Sequence, residues 1–464
     1  MRASDHQKPR SGRPHAHSSV GYTGTSGPVR AYGALTSWAA GAFAVVLGFS
    51  RLSYGLLLPA LRADLHGSYG TFGLIGSVNL AGYLLGTLAI PLVMARYRDR
   101  TRLNTLALLA MSAAMIASAT SRDVAQLAAW RLLVGVFSAP ATVLTIALTL
   151  ERVAPAERGR ASGMMWMGGA AGVVVSGLVA PLVVGTGASP AWRAVWVAMG
   201  AVGLVAAWGL RCGLRATPAP AMAAATAAAT AARREPEAVR RADPGARGEI
   251  GRRVAAQRHG DGDEDGGQGG QGGVLATLAD LLRPRGTLAL TLAYVAFGCG
   301  YVIYFTYFIA LVTHQGLPAL LAGLVWSAIG VVGAVSALLW GRAIDRRPTG
   351  FTLAAALTVG AVGALGVDGL ATDCIGALLM GACFIGTPTM VTALLRRAVP
   401  AARYTVSLSF LTMAFALGQM VGPSIGGVVA DAHGLALGTA SSAAILALAA
   451  ILAAAYGLVQ RRQP

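Results

Sequence analysis

The chain has 464 residues, of which 55% are hydrophobic and only 12% are charged. A soluble protein of this length needs a more polar surface, so this composition predicts a protein that lies in a lipid bilayer. The formal net charge of +18 makes nucleic acid binding an alternative. We expect no nucleic acid partner, because no basic patch interleaved with aromatic residues stands in a segment that could fold as a soluble domain.

Residues 1–34 are polar and lack the short apolar core of a signal peptide. We expect them to form a disordered cytoplasmic N-terminus. Insertion would then be directed by the first membrane helix.

Twelve segments are long and apolar enough to predict membrane helices, because about 20 mainly apolar residues cross a bilayer. They are 35–60, 70–94, 102–120, 124–150, 161–185 and 193–214, then 286–312, 318–341, 351–368, 371–395, 403–430 and 434–459. The predicted fold is an all-α membrane protein with two six-helix halves, at 35–214 and 286–459.

Residues 215–285 separate the two predicted halves and combine an Ala/Pro stretch, an Arg-rich run and the sequence DGDEDGGQGGQGG. Such a composition cannot bury a core, so it predicts a disordered cytoplasmic linker. Its acidic cluster, from Asp261 to Asp265, lacks the ordered ligand spacing and the flanking helices of a calcium loop. We therefore expect no metal site and no cofactor.

The basic residues predict the orientation of the chain. If the N-terminus is cytoplasmic, 32 of the 37 Lys and Arg residues fall in cytoplasmic segments. This asymmetry predicts that both termini, including the tail at 460–464, lie in the cytoplasm. The protein would be a multi-pass protein of the cell (cytoplasmic) membrane, with the lipid bilayer as its solvent.

Three motifs stand in or beside the predicted helices. Gly341, Asp345 and Arg346 form GxxxDR after helix eight, and Leu127, Arg131 and Gly135 form LxxxRxxxG in helix four. Helix eleven carries GxxxGPxxGG, formed by Gly418, Gly422, Pro423, Gly426 and Gly427. The sequence PAER at 155–158 enters helix five and PAAR at 400–403 enters helix eleven, which indicates duplicated halves.

Together these motifs resemble those of the major facilitator superfamily (MFS). The sequence GFSRLSYGLLLPALRADL at 48–65 and NLAGYLLG at 79–86 further resemble its YbfB/YjiJ-type branch. The resemblance implies a twelve-helix transporter rather than an enzyme. Two departures stand out: Pro91 and Ala95 replace the Gly and Asp of the first-half GxxxDR, and the GxxxGPxxGG pattern that marks helix five of drug-proton antiporters lies in helix eleven.

The motif residues also have roles that elementary physics suggests. Asp345 and Arg346, next to Gly341 at a helix end, can pair with helix dipoles and form a conformational latch. A solvated loop pair is the alternative. The Gly-Pro run of helix eleven permits close packing and a bend at Pro423.

Candidate substrate-binding residues share helix faces. Arg51 lies within helix one, where a charge usually faces a cavity, and Tyr54 is on the same face. A snorkelling arginine is the alternative for Arg51. Arg131 begins a polar stripe on helix four whose hydroxyls could instead bond to their own backbone. The remaining candidates are Asn79 and Tyr83 of helix two and Tyr301 and Tyr304 of an aromatic stripe on helix seven, which packing would also explain.

The charges within the helices indicate the substrate. Arg51 and Arg131 lie deep within the predicted helices, whereas none of the acidic residues falls mid-helix. This favours a small organic anion or metabolite, with any coupled proton carried by the substrate or by His314. Alternatives are export of neutral hydrophobic or drug-like compounds and, from another class, a membrane sensor or scaffold that uses the linker. We expect a monomeric symporter or antiporter.

Overall fold

The computed structural model describes residues 26–97, 99–154, 157–184, 191–217, 287–366 and 369–462, and the regular elements in these ranges are helices. Helix α1 has three segments, Ser26–Phe43, Ala44–Leu52 and Ser53–Leu65. The others are α2 Tyr69–Arg96, α3 Arg100–Ser118, α4 Val124–Arg152, α5 Arg158–Val184, α6 Trp192–Ala216, α7 Thr287–His314, α8 Ala319–Arg346, α9 Gly350–Ala364, α10 Leu370–Phe384 with Gly386–Ala398, α11 Ala401–His433 and α12 Leu435–Arg462.

These helices match the twelve predicted segments in order. Within the described ranges, ten are long and apolar enough to cross a membrane. The remaining two are α9, which is apolar but short, and α3. An all-helical fold with six helices on each side of the 215–285 segment is therefore confirmed.

Several boundaries differ from the prediction. Helix α1 begins at Ser26 rather than at residue 35, α9 ends at Ala364, and α12 continues to Arg462. Helix α10 is interrupted at Ile385, between its two segments. Residues 1–25 of the predicted N-terminus and 218–286, which contain most of the predicted linker, lie outside the described residues.

Side-chain caps explain where several helices begin. The Ser68 hydroxyl accepts a hydrogen bond from the amide of Thr71 at the start of α2. Asp99 caps α3 and Asp123 caps α4 in the same way, each through a 2.8 Å bond. Because these caps satisfy amides that the first helical turn leaves free, short polar turns are enough to reverse the chain between apolar helices.

The bundle places apolar side chains on its outer face. Leu92 is 75% exposed and Trp208 is 65% exposed, whereas the interior contains polar residues such as Asn79 and Arg131, which are at most 4% exposed. A water-soluble protein has the opposite arrangement, because exposed apolar area is costly in water. Lipid is the solvent that fits this surface.

We call the side of the bundle where α1 begins and α12 ends the terminal side, and the other side the distal side. The two halves contact each other at the distal side. Gly55 of α1 lies against the carbonyl of Phe305 in α7, and Gly177 of α5 lies against Gly323 in α8. Gly73 of α2 lies against Pro423 of α11. The absence of side chains at these glycines lets the helix backbones approach closely.

On the terminal side the halves are further apart. A cavity of about 530 Å³ separates α5 from α8 and α10, and Gly163, Trp166, Leu338 and Thr389 are among its lining residues. Trp166 is 42% exposed and Leu338 is 62% exposed. The bundle is thus closed at the distal side and open between these helices at the terminal side.

Candidate central site

The middle segment of α1, Ala44–Leu52, is a π-helix that places Arg51 near the centre of the bundle. The amide and the hydroxyl of Ser53 both donate to the carbonyl of Gly48, five residues earlier. Gly48 itself packs against the backbone of α5 at Gly172. A π-helical turn is wider than an α-helical one and is frequent at functional sites.

Arg51 rests on an aromatic ring of the neighbouring helix. Its guanidinium carbon lies 3.6 Å from the ring centroid of Tyr83 in α2, a cation-π contact. Its Nε and Nη2 atoms are buried and have no hydrogen-bond partner. The contact fixes the side chain while leaving two donors free.

Arg131 of α4 is the second cation of the site and is only 1% exposed, whereas Arg51 is half-buried. Its Nη2 donates to the carbonyl of Ser50, and its guanidinium lies 4.8 Å from the Trp196 ring and 5.3 Å from the Tyr54 ring. The Nε and Nη1 atoms have no partner. Asn79 connects α2 to this helix, because its amide donates to the Arg131 carbonyl at 2.6 Å.

Neither guanidinium is paired with a carboxylate of the described residues. Two ion pairs of the described residues join Arg100 to Glu151 at 2.7 Å and Arg193 to Asp64 at 3.1 Å, at the ends of helices. An arginine keeps its proton in a protein, and an unpaired buried charge is costly. The centre of the bundle therefore carries uncompensated positive charge.

Aromatic side chains of α7 and α11 face the two arginines and form a second wall. Tyr301 of α7 stacks on Phe297 at 5.1 Å and on Phe415 of α11 at 6.0 Å, and Tyr294 stacks on Phe415 at 4.2 Å. We call Tyr294, Phe297, Tyr301 and Phe415 the aromatic ladder. The hydroxyl of Tyr301 accepts a hydrogen bond from the buried amide of Gln419.

A small cavity of about 30 Å³ separates the basic wall from the aromatic wall. Six of its lining residues are Arg51, Tyr54, Asn79, Arg131, Tyr301 and Pro423. It thus draws on α1, α2 and α4 of the first half and on α7 and α11 of the second. A space of this size holds a water molecule but no organic solute.

The structure brings together six of the seven sequence-predicted binding residues. Five line the cavity, and Tyr83 lies under Arg51. Tyr304 is placed elsewhere: it stacks on Phe308 at 5.0 Å and lines a separate cavity near Asp373. The Tyr54 hydroxyl donates to the carbonyl of Phe72 at 2.7 Å, so its ring rather than its hydroxyl is free to form the wall.

Three residues of this site were not predicted from the sequence. Trp196 of α6 supports Arg131, Gln419 holds Tyr301, and Phe415 extends the ladder. Gln419 lies in the Gly-Pro motif of helix eleven, and a polar residue at membrane depth could have indicated a functional site from the sequence. Trp196 and Phe415 had no such signal, because an aromatic residue in an apolar helix is ordinary.

The predicted motif residues occupy two different environments. Asp345 and Arg346 are exposed at the terminal end of α8, and a Cβ at Gly341 would meet open space. The α11 motif is packed: Gly418 lies against Val295 and Gly422 against Cys299 of α7. Gly426 and Gly427 both lie against Tyr307, whose hydroxyl donates to the Pro423 carbonyl at 2.6 Å.

The sequence profile of the Major Facilitator Superfamily matches residues 40–373. The chain belongs to the major facilitator superfamily. A search of curated protein sequences gave no significant match.

Solved structures agree with this MFS assignment. A bacterial homologue of the human lysosomal transporter Spinster, in an inward-facing and unoccupied conformation, has a TM-score of 0.67 at 15% identity, covering 94% of this chain and 98% of that one. The nucleoside transporter NupG gives 0.64 at 11% identity, covering 93% and 99%. A D-xylose-proton symporter gives 0.65 at 14% identity, covering 91% and 97%. At these identities the likeness concerns the fold alone.

The family and the fold together make this chain a multi-pass membrane transporter of the MFS type with two six-helix halves. They also indicate a transporter rather than an enzyme. The central cavity lies where the halves meet.

Proposed function

We propose that this transporter carries a small organic anion and that Arg51 and Arg131 bind its anionic group. The observation that carries the proposal is the pair of guanidiniums, which together have four buried nitrogen atoms that lack partners. Because such charges are costly when unpaired, an anionic substrate would stabilise the site that it enters. Charge-assisted hydrogen bonds to arginine are also stronger than neutral ones.

Transport would proceed by alternating access, with the two halves rocking about the central cavity. The distal contacts and the terminal-side cavity support a conformer that is open on one side. With both termini in the cytoplasm, as the basic residues predict, the open side faces the cytoplasm of a cell membrane. The solved Spinster homologue with the similar fold is likewise described as inward-facing.

The exposed Asp345 and Arg346 fit a latch that forms when the terminal side closes. In the present conformer Asp345 has no ion-pair partner among the described residues. We also retain the YbfB/YjiJ-type branch, on the motif at 48–65. Residues 215–285 would tether the halves, the carrier would be a monomer without cofactors, and any coupled proton would travel on the substrate or through His314.

The test is uptake of radiolabelled aliphatic and aromatic carboxylates into proteoliposomes, after a thermal-stability screen of the purified protein. Ligands of the folded state raise its melting temperature. Arg51→Ala should insert normally but lower uptake at least about tenfold, because a charge-assisted contact is worth about 1.5–3 kcal/mol.

Arg62→Ala is the matched control. Its guanidinium lies 3.6 Å from the ring of Tyr69, the same contact that Arg51 forms with Tyr83, but near the end of α1 and away from the cavity. Arg62→Ala should retain uptake. Equal uptake by Arg51→Ala and the parent protein, in a well-folded preparation, would refute the role of Arg51.

The aromatic ladder supports a second candidate, a carrier of neutral hydrophobic compounds. Such compounds would bind to the aromatic rings and would not require the arginines. Competition distinguishes the two: neutral compounds that block transport where carboxylates do not would favour the second candidate.

A further inference from the structure

We propose that the anion is an aromatic monocarboxylate, held by its carboxylate on Arg51 and by its ring on Tyr301. This inference rests on the proposed function and adds the shape of the substrate. Three observations support it: the free edge of the Arg51 guanidinium, the hydrogen bond that already engages Arg131, and the aromatic residues across the cavity.

The free edge of Arg51 fits one carboxylate. In a guanidinium, the N–H of Nε and one N–H of Nη2 point in the same direction and form two parallel hydrogen bonds to a carboxylate. These are the two Arg51 nitrogens that are buried without a partner. The Tyr83 ring, 3.6 Å from the guanidinium, covers one face of the group and leaves this edge for a ligand.

Arg131 offers a second carboxylate a less complete site. One N–H of its Nη2 is engaged with the Ser50 carbonyl, so both edges of this guanidinium include a nitrogen that already has a partner. It can supply single hydrogen bonds and positive potential. The site therefore offers one bidentate edge whose two nitrogens are both without partners, which fits a monocarboxylate better than a dicarboxylate.

The wall opposite the arginines is aromatic. Tyr301 and Phe305 line the cavity, and Tyr301 belongs to a ladder whose stacked rings lie within 23° of parallel. A planar ring on the substrate could extend the ladder by stacking, whereas a saturated ring could not. Offset stacking adds to the affinity beyond the area that is buried.

The 30 Å³ cavity is too small for such a ligand in this conformer. Tyr301 belongs to the second half and Arg51 to the first, so a rocking movement of the halves changes the distance between the two walls. A ligand that contacts both residues thus couples binding to the movement, because its affinity differs between conformers.

The experiment compares three compounds of similar size on the purified full-length protein, by thermal stabilisation and by titration. Benzoate should raise the melting temperature and bind about two- to tenfold more tightly than cyclohexanecarboxylate, the range expected from stacking. Benzamide, which has the ring without the charge, should give no shift. Tyr301→Phe should keep the preference and Tyr301→Leu should lose it.

The outcomes separate this inference from the proposed function. Equal binding of benzoate and cyclohexanecarboxylate would overturn the aromatic preference and leave the anion carrier intact. Stabilisation by benzamide without stabilisation by either carboxylate would overturn both. The wild-type comparison decides the question even if a Tyr301 variant fails to fold.

Discussion

The carboxylate of Asp431, near the end of α11, accepts a 2.8 Å hydrogen bond from the backbone amide of Gly70, in the first turn of α2. Its other oxygen accepts from the amide of Tyr69, also at 2.8 Å. One side chain of the second half thus caps a helix of the first half. The negative charge also interacts favourably with the positive end of the α2 dipole. Because the cap joins the halves at the distal side, opening that side must break it.

Asp431→Asn should therefore shift the protein towards distal opening. The neutral side chain weakens both hydrogen bonds and the dipole interaction by about 1 kcal/mol in total, a population change of about fivefold. The measurement is the distance between spin labels at Thr120 and His314, both exposed on the distal side, after the four native cysteines are replaced. The distance distribution should lengthen.

Asp123→Asn is the control for this prediction. Asp123 caps α4 through a 2.8 Å bond from the amide of Gln126, inside one half. Losing this cap should lower stability without altering the label distance. A similar lengthening in both variants would mean that Asp431 acts only as an ordinary helix cap.

Gly55→Ala should also open the distal side, by steric means. A Cβ at Gly55 would overlap the carbonyl of Phe305, a backbone atom that cannot turn away, so α1 and α7 must separate at a cost of about 1–3 kcal/mol. Gly41→Ala, in the same helix, has open space around it and should be neutral or slightly stabilising. The same label pair and the melting temperature measure both effects, and unchanged distances in Gly55→Ala would contradict this account.

The sequence predicted the helices well because their signal is local. Apolar length alone defines a membrane span, and Arg51 was recognisable because a charge within such a span is rare. The polar stripe of α4 shows the limit of such reasoning. The hydroxyl of Thr142 donates to its own helix at Ser138, whereas that of Thr145 donates to Asn104 of α3, although both residues belong to the same stripe.

What the sequence could not supply is the identity of the neighbour across a helix interface. The stacking of Phe415 on Tyr294 and the contact of Gln419 with Tyr301 depend on how α11 lies against α7. The π-helical segment of α1 was also invisible, because it is defined by backbone hydrogen bonds such as that from Ser53 to Gly48. Contacts between residues from distant parts of the chain can be predicted only when the packing of the helices is known.

Arg131→Met should separate stability from function. The change removes a buried cation whose Nε and Nη1 have no partner, and leaves the Ser50 carbonyl without its donor. The first effect stabilises by several kcal/mol and the second costs about 1–3 kcal/mol, so the melting temperature should be equal or higher. Carboxylate uptake should fall strongly. A variant that melts much earlier yet transports normally would refute a binding role for Arg131.

Tyr304→Phe should leave carboxylate uptake within about twofold of the parent protein, since it removes a hydroxyl that lies outside the central cavity. Tyr304 follows Tyr301 by three residues, a step that turns a side chain by about 60° around an α-helix and moves it about 4.5 Å along the axis. Tyr294 and Tyr301 face α11, whereas Tyr304 and Phe308 line the cavity at Asp373. Uptake is the measurement, with Arg51→Ala as the reference for loss of function. If Tyr304→Phe lost as much uptake as Arg51→Ala, the substrate path would have to include the cavity at Asp373.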